Sequence, residues 1–183
     1  MGGALDVFLL LHLLAETPGL LWQGAAVHPG CIGELRTKLS DPKPVVVAID
    51  LEGCRSSNRY SSFYETEGRV LRWRDPDGDG RGYFQYEDLG VLSNGIHVVR
   101  IAESGGASGL FQNLLFLRIG EAAVSEDGRQ RVRHALTLVG SETLGDRAHV
   151  TIELSGDAVT IRRREFRGAQ GFGAEEVFVR RVR

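Results

Sequence analysis

Short runs of apolar, aromatic and β-branched residues alternate along most of this chain with turns rich in glycine, proline and aspartate. The clearest example is residues 69–101, where the runs 69–74 and 82–87 flank an Asp/Gly/Pro turn and a third run, 94–101, follows. Two such runs on either side of a turn are typical of a β-hairpin. We therefore predict antiparallel strands in the middle of the chain.

The second half continues this pattern. Residues 110–119 are apolar on both faces, which favours a strand in the middle of a sheet. Residues 131–138 and 150–161 alternate apolar and polar positions, which predicts half-buried strands, and residues 175–183 predict a last strand. Together the segments indicate about eight strands in an antiparallel β-sandwich or barrel. The absence of long helical periodicity between them argues against a parallel α/β fold.

Residues 7–15 form an apolar run with two interpretations. Its length suits the core of a signal peptide and is too short to span a bilayer, but Asp6 stands where a signal peptide is positive. The alternative is a helix over residues 4–16, ended by Thr17, Pro18 and Gly19. We predict a helical or signal-like segment with its linker over residues 1–44 and an antiparallel β domain over residues 45–183.

Two shorter elements lie around the boundary between these regions. Residues 32–39 predict a short helix, which the prolines at positions 42 and 44 would end. Residues 45–51 are a continuous apolar run, which predicts a buried strand at the start of the β domain.

The amino-acid composition excludes some classes of binding partner but does not identify the partner. The 183 residues are 42% hydrophobic and 25% charged, which is typical of a globular protein. The formal net charge of -2 argues against nucleic acid or an anionic membrane as the main partner. No segment is long and apolar enough to predict a transmembrane helix.

The two cysteines, Cys31 and Cys54, leave the compartment open. They form no CxxC pair, so their spacing does not indicate a zinc site. In an exported protein they would form one disulfide, whereas in the cytoplasm they would be buried thiols. Taken with the atypical N-terminal run, the sequence slightly favours the cytoplasm over export.

The turn between the first two central strands is the densest group of oxygen ligands. Asp75, Asp77 and Asp79, followed by Gly80, resemble the first half of an EF-hand calcium loop, in which alternate carboxylates converge on one cation. The twelfth position holds Tyr86 where the motif requires glutamate, and Glu87 comes one residue later. We predict a candidate calcium site of Asp75, Asp77, Asp79 and Glu87; the alternative is a solvated turn.

Three further groups are candidates for chemistry. The loop 104–109 is rich in glycine and serine, so its N–H groups suit a phosphate or an oxyanion, although it lacks the Walker and nucleophile-elbow patterns. Ser104 or Ser108 with His97 and Asp50 would supply a catalytic triad, which spacing cannot test. Seven arginines between positions 162 and 183 would bind phosphate, RNA or an acidic partner, unless they pair with Glu165, Glu175 and Glu176 across strands.

These observations favour a non-catalytic binding or interaction module, with calcium as a candidate stabilising ion at the Asp75–Asp79 turn. The partner would be a protein or a small-molecule ligand. The alternative is a small hydrolase or phosphate-handling enzyme that uses the 104–109 loop and a histidine. A third hypothesis, a closed barrel around an apolar ligand, requires an unfilled interior.

Overall fold

The structure is a computed structural model that describes residues 19–35, 46–57, 63–74, 76, 81–126 and 129–183. Twelve antiparallel strands, two short α-helices and one 3₁₀ helix (Gly168–Gln170) lie within these residues. The strands are β1 (Leu21–Trp22), β2 (Ala25–Ala26), β3 (Ala48–Asp50), β4 (Glu65–Glu67), β5 (Val70–Trp73), β6 (Tyr83–Val91), β7 (His97–Ser104), β8 (Phe111–Glu126), β9 (Arg129–Asp146), β10 (His149–Ser155), β11 (Ala158–Phe166) and β12 (Phe172–Arg181). The α-helices are α1 (Pro29–Glu34) and α2 (Leu51–Ser56). The prediction of a mainly β, antiparallel protein is confirmed.

Seven strands form the principal sheet in the order β3-β9-β8-β7-β6-β5-β4. The predicted central hairpin is confirmed, because β5 pairs with β6 up to Trp73 and Phe84, and β6 pairs with β7 from Tyr83 onward. Strand β8 lies between β7 and β9, as its apolar pattern predicts. Leu114 and Phe116 of β8 belong to one core, whereas Leu115 and Leu117 belong to the other, so the sheet is covered on both faces.

A second sheet of three strands, in the order β10-β11-β12, covers one face of the principal sheet. The core between them joins Val98 and Leu114 of the large sheet to Val159 and Ile161 of β11. These side chains are fully buried. The predicted hairpin over residues 150–161 is confirmed as β10 and β11, which pair from His149 and Arg164 to Ser155 and Ala158.

The opposite face of the principal sheet is covered by the segment from Leu20 to Leu35 and by α2. Tyr86 of β6 connects this layer to the sheet, because its hydroxyl donates a hydrogen bond to the Val27 carbonyl at 2.7 Å. Burial raises the pKa of the Tyr86 hydroxyl well above its usual range, so the group remains a neutral donor. This buried hydrogen bond therefore adds to the apolar packing that holds the N-terminal layer on the sheet.

Several details differ from the sequence predictions. Strands β1 and β2 form a separate two-stranded sheet, and none of the three sheets closes. The barrel is therefore wrong for the described part of the chain, and with it the closed barrel around an apolar ligand. The predicted buried strand 45–51 is an edge strand of three residues, because Asp50 caps α2 by accepting a hydrogen bond from the Glu52 N–H at 3.0 Å. The short helix begins earlier than predicted, at Pro29, and the predicted helix over residues 4–16 lies outside the described residues.

Both described α-helices have six residues, which is far fewer than a helix needs to cross a membrane.

Candidate functional site

A pocket of about 150 Å³ opens in the N-terminal layer, between the β1–β2 hairpin and the two helices. Its walls are mostly apolar and aromatic. The lining residues are Trp22, Ala25, Ala26, Val27, His28, Cys31, Leu51, Cys54, Arg55 and Tyr64. Because they come from three separate segments, the pocket exists only once the N-terminal layer has folded onto the sheet.

A disulfide between Cys31 and Cys54 joins α1 to α2 at the base of this pocket. Their Cα atoms are 6.2 Å apart, and the two residues are 0% and 7% exposed. Of the two states that the sequence allows, a disulfide or two buried thiols, the structure contains the disulfide. A covalent link between the helices limits how far this wall of the pocket can move.

His28 forms a fixed part of the wall. Its Nδ1 accepts a hydrogen bond from the Gly30 N–H at 3.0 Å and so caps α1. Its ring meets Tyr64 and Trp73 edge-on, with centroids 5.4 Å and 5.5 Å away. Because Nδ1 accepts this hydrogen bond, the capping ring is the tautomer that carries its proton at Nε2.

Arg55 gives the pocket a positive charge at its rim. Its side chain is exposed, and its Nη1 donates to the Gln23 side chain over 3.5 Å, which is a long hydrogen bond. No carboxylate of the described residues forms an ion pair with Arg55. The arrangement therefore suits a ligand with an apolar group for the pocket and a negative group for the guanidinium.

A second, polar groove crosses β6 and β7 on the opposite face of the principal sheet and contains Glu87. The Glu87 carboxylate accepts a hydrogen bond from the Arg100 guanidinium at 2.6 Å, and these two residues are register partners. The other three predicted calcium ligands, Asp75, Asp77 and Asp79, lie outside the described residues, so the calcium site stays a prediction. Among the described residues no three His, Cys, Asp or Glu side chains form a metal-binding group.

The residues of the hypothetical triad lie apart. His97 and Ser104 are at opposite ends of β7, about 23 Å from each other at 3.3 Å per residue. The His97 ring is paired with Asp88 at 3.2 Å. Asp50 caps α2, and the Ser104 hydroxyl accepts a hydrogen bond from the Gly106 N–H at 3.3 Å. The structure therefore does not bring His97, Ser104 and Asp50 together as a triad, whereas an anion site in the 104–109 loop stays a prediction.

Three of the seven C-terminal arginines, Arg162, Arg163 and Arg180, form ion pairs with glutamates. Arg163 donates to Glu176 of β12 at 2.5 Å, and Arg162 lies within 4.0 Å of Glu175. Arg180 reaches across to Glu142 of β9 at 2.6 Å, a partner that the sequence does not indicate. These contacts neutralise part of the positive charge, so they favour cross-strand pairing over a phosphate-binding patch at those three positions.

The pocket itself escapes prediction from the sequence. Trp22, Arg55 and Tyr64 belong to no motif, and their spacing does not reveal that they meet. The two cysteines are the only signal, since a disulfide would bring residues 31 and 54 together. Neither a protein-family model nor a curated protein nor a solved structure matches this chain. Its function is therefore inferred from the geometry of the pocket.

Proposed function

We propose that this protein is a non-catalytic binding module whose ligand places one apolar group in the pocket of the N-terminal layer. The size and lining of the pocket carry this proposal. An engineered apolar cavity of about 150 Å³ in another protein binds benzene, and this pocket has a similar volume of about 150 Å³. A single aromatic ring or a branched aliphatic group therefore fits.

The charge at the rim narrows the ligand class. Arg55 is the only arginine or lysine among the lining residues, and its guanidinium suits a carboxylate because it offers several N–H donors in one plane. We infer a ligand with a carboxylate one or two bonds from the apolar group. Small aromatic acids and the C-terminal residue of a peptide both satisfy this description.

The crosslinked helices support the same proposal. A wall held by a disulfide loses little conformational freedom when a ligand binds, which favours affinity from a small contact area. Disulfides persist in oxidising compartments, so the crosslink supports an exported protein over a cytoplasmic one.

Calcium at the turn after β5 remains part of the proposal, as a stabilising ion. The pairing of β5 with β6 supports it, because residues 75, 77 and 79 fall in the connection between two strands of a hairpin. Glu87 would complete the shell only by giving up its ion pair with Arg100. Water or a backbone carbonyl is therefore the better fourth ligand.

Phenylacetate, with one ring next to one carboxylate, is a suitable probe. With ten heavy atoms and about -0.4 kcal/mol per atom, we expect a dissociation constant of about 1 mM, measured by chemical shift changes in a titration of ¹⁵N-labelled protein. Arg55→Gln should weaken binding by a factor of about 1.4 to 5, since an exposed ion pair contributes about 0.2–1 kcal/mol. Benzyl alcohol, which keeps the ring without the charge, should bind the Arg55→Gln variant and the wild type equally.

Ala25→Phe tests the location of the site. Ala25 is exposed and lines the pocket, so a phenyl group there should fill the pocket and abolish binding without disturbing the core. Ala174→Phe is the matched control, because Ala174 is also exposed in a strand and belongs to β12, in the sheet that covers the other face of the principal sheet. If phenylacetate binds the Ala25→Phe variant as it binds the wild type, the proposed site is wrong.

A further inference from the structure

Strand β12 is the longest strand at the edge of either sheet. Its ten residues pair with β11 on one side, and no strand of the described chain pairs with the other side. The edge strands of the principal sheet, β3 and β4, have only three residues each. Long open edges present a row of unpaired N–H and C=O groups, which proteins usually shorten, cover or protect with lysine or proline.

The middle of β12, from Val177 to Val179, contains no charged residue or proline that would protect this edge. The strand contains neither lysine nor proline, and Val177 and Val179 on its outer face are 51% and 57% exposed. Next to these valines the charges are divided by sign along the strand. Glu175 and Glu176 precede them, whereas Arg180 and Arg181 follow them.

This order of residues is complementary to itself in the antiparallel direction. We propose that β12 pairs with β12 of a second copy of this chain around a two-fold axis at Phe178, which joins the two three-stranded sheets into one of six strands. In this register Val177 lies opposite Val179 of the partner subunit, and Glu175 lies opposite Arg181 of the partner subunit. Opposite residues share a face of the sheet, so these contacts form on the outer face at both ends of the interface.

The register is specific. Only every second residue of an edge strand points its backbone N–H and C=O groups away from its own sheet. Two copies of β12 can therefore pair only if residues an even number of positions apart lie opposite each other. Moving the axis by one residue to Val177 or Val179 places Glu175 or Arg181 opposite a valine. Only the axis at Phe178 matches both the valines and the charges, so a strand of this sequence specifies one arrangement.

The local environment leaves the required groups accessible. Arg181 is exposed and forms no ion pair with a described residue, and the contact of Glu175 with Arg162 is long, at 4.0 Å. The charged side chains on the inner face of β12 already form ion pairs within the subunit, since Glu176 binds Arg163 and Arg180 binds Glu142. The pocket opens in the layer on the other side of the principal sheet, so this inference is independent of the proposed function.

Charge reversal tests both the partner and the register. Sedimentation velocity of the full chain should show a mass that rises with concentration from 20.0 kDa toward twice that value. Glu175→Arg places like charges at both ends of the interface, and so does Arg181→Glu, so each variant alone should dimerise about tenfold more weakly. An equimolar mixture of the two variants should recover the affinity of the wild type, because opposite charges face each other again in the mixed dimer.

Val179→Lys is a second disrupting variant, which needs no charge reversal near Arg162. Val91→Lys is its matched control, since Val91 is 53% exposed and lies in a strand of the other sheet. We expect Val179→Lys to be monomeric and Val91→Lys to dimerise as the wild type does, with thermal melts showing that both fold. A monomeric wild type, single variants that dimerise normally or a mixture that stays monomeric would each overturn the proposal.

Discussion

Removal of the disulfide should cost a large part of the stability of this protein. Cys31 and Cys54 are 23 residues apart, so their crosslink closes a loop of that length in the unfolded chain. The chain-entropy relation gives about 3.4 kcal/mol at 25 °C for such a loop, within the range of about 2–5 kcal/mol measured when native disulfides are removed. We therefore expect Cys31→Ala with Cys54→Ala to lower the free energy of unfolding by about 3.4 kcal/mol.

Urea denaturation followed by circular dichroism measures this loss. With an m-value of about 2 kcal/mol/M for a chain of this size, the midpoint should fall by about 1.7 M. Reduced wild type should behave like the double variant, and a reducing agent should leave the double variant unchanged, which separates the crosslink from side effects of the substitutions. A midpoint within about 0.3 M of the wild type, or two reactive thiols in the unfolded, unreduced protein, would refute the reasoning.

Three further predictions concern single groups. Tyr86→Phe should destabilise the fold by about 1–2 kcal/mol in the same urea assay, because it leaves the buried Val27 carbonyl without its donor. Hydrogen bonding from the Leu110 N–H lowers the pKa of Asp146. The stabilisation by this carboxylate is therefore present above the ordinary pKa of an aspartate and is lost as the pH falls through the lowered pKa. Thermal melts from pH 5 to pH 2 should show a smaller fall in melting temperature for Asp146→Asn than for the wild type. Millimolar calcium should raise the melting temperature and Asp77→Asn should remove that rise, whereas identical melts in calcium and chelator would exclude the site.

The sequence predicts the strands of this protein better than their positions in the sheets. Residues 110–119 and 150–161 fold as predicted, because a strand buried on one face has apolar residues at alternate positions and a strand buried on both faces has them at nearly every position. Residues 45–51 are equally apolar, yet among the described residues 46–51 only three form a strand, at an edge. The difference is that Asp50 starts a helix, and a capping interaction between two residues is not visible in hydrophobic periodicity.

The candidate site could not be predicted for a different reason. The two cysteines allow both a crosslink and free thiols, and only the packing of α1 beside α2 decides between them. Trp22 and Tyr64 are separated by forty-two positions, so no local pattern indicates that they share a wall. When a binding site is formed by segments that meet only in the folded chain, the spacing of its residues along the sequence does not reveal it.

The pocket as the binding site is the central claim, and intermolecular nuclear Overhauser effects from phenylacetate test it most directly. Ring protons of the bound probe should show contacts to the Val27 methyl groups and to the aromatic protons of Trp22 and Tyr64, which line the pocket. These contacts should disappear in the Ala25→Phe variant. Contacts to residues of the polar groove at Arg100 or to the outer face of β12, with none to the pocket, would contradict the account.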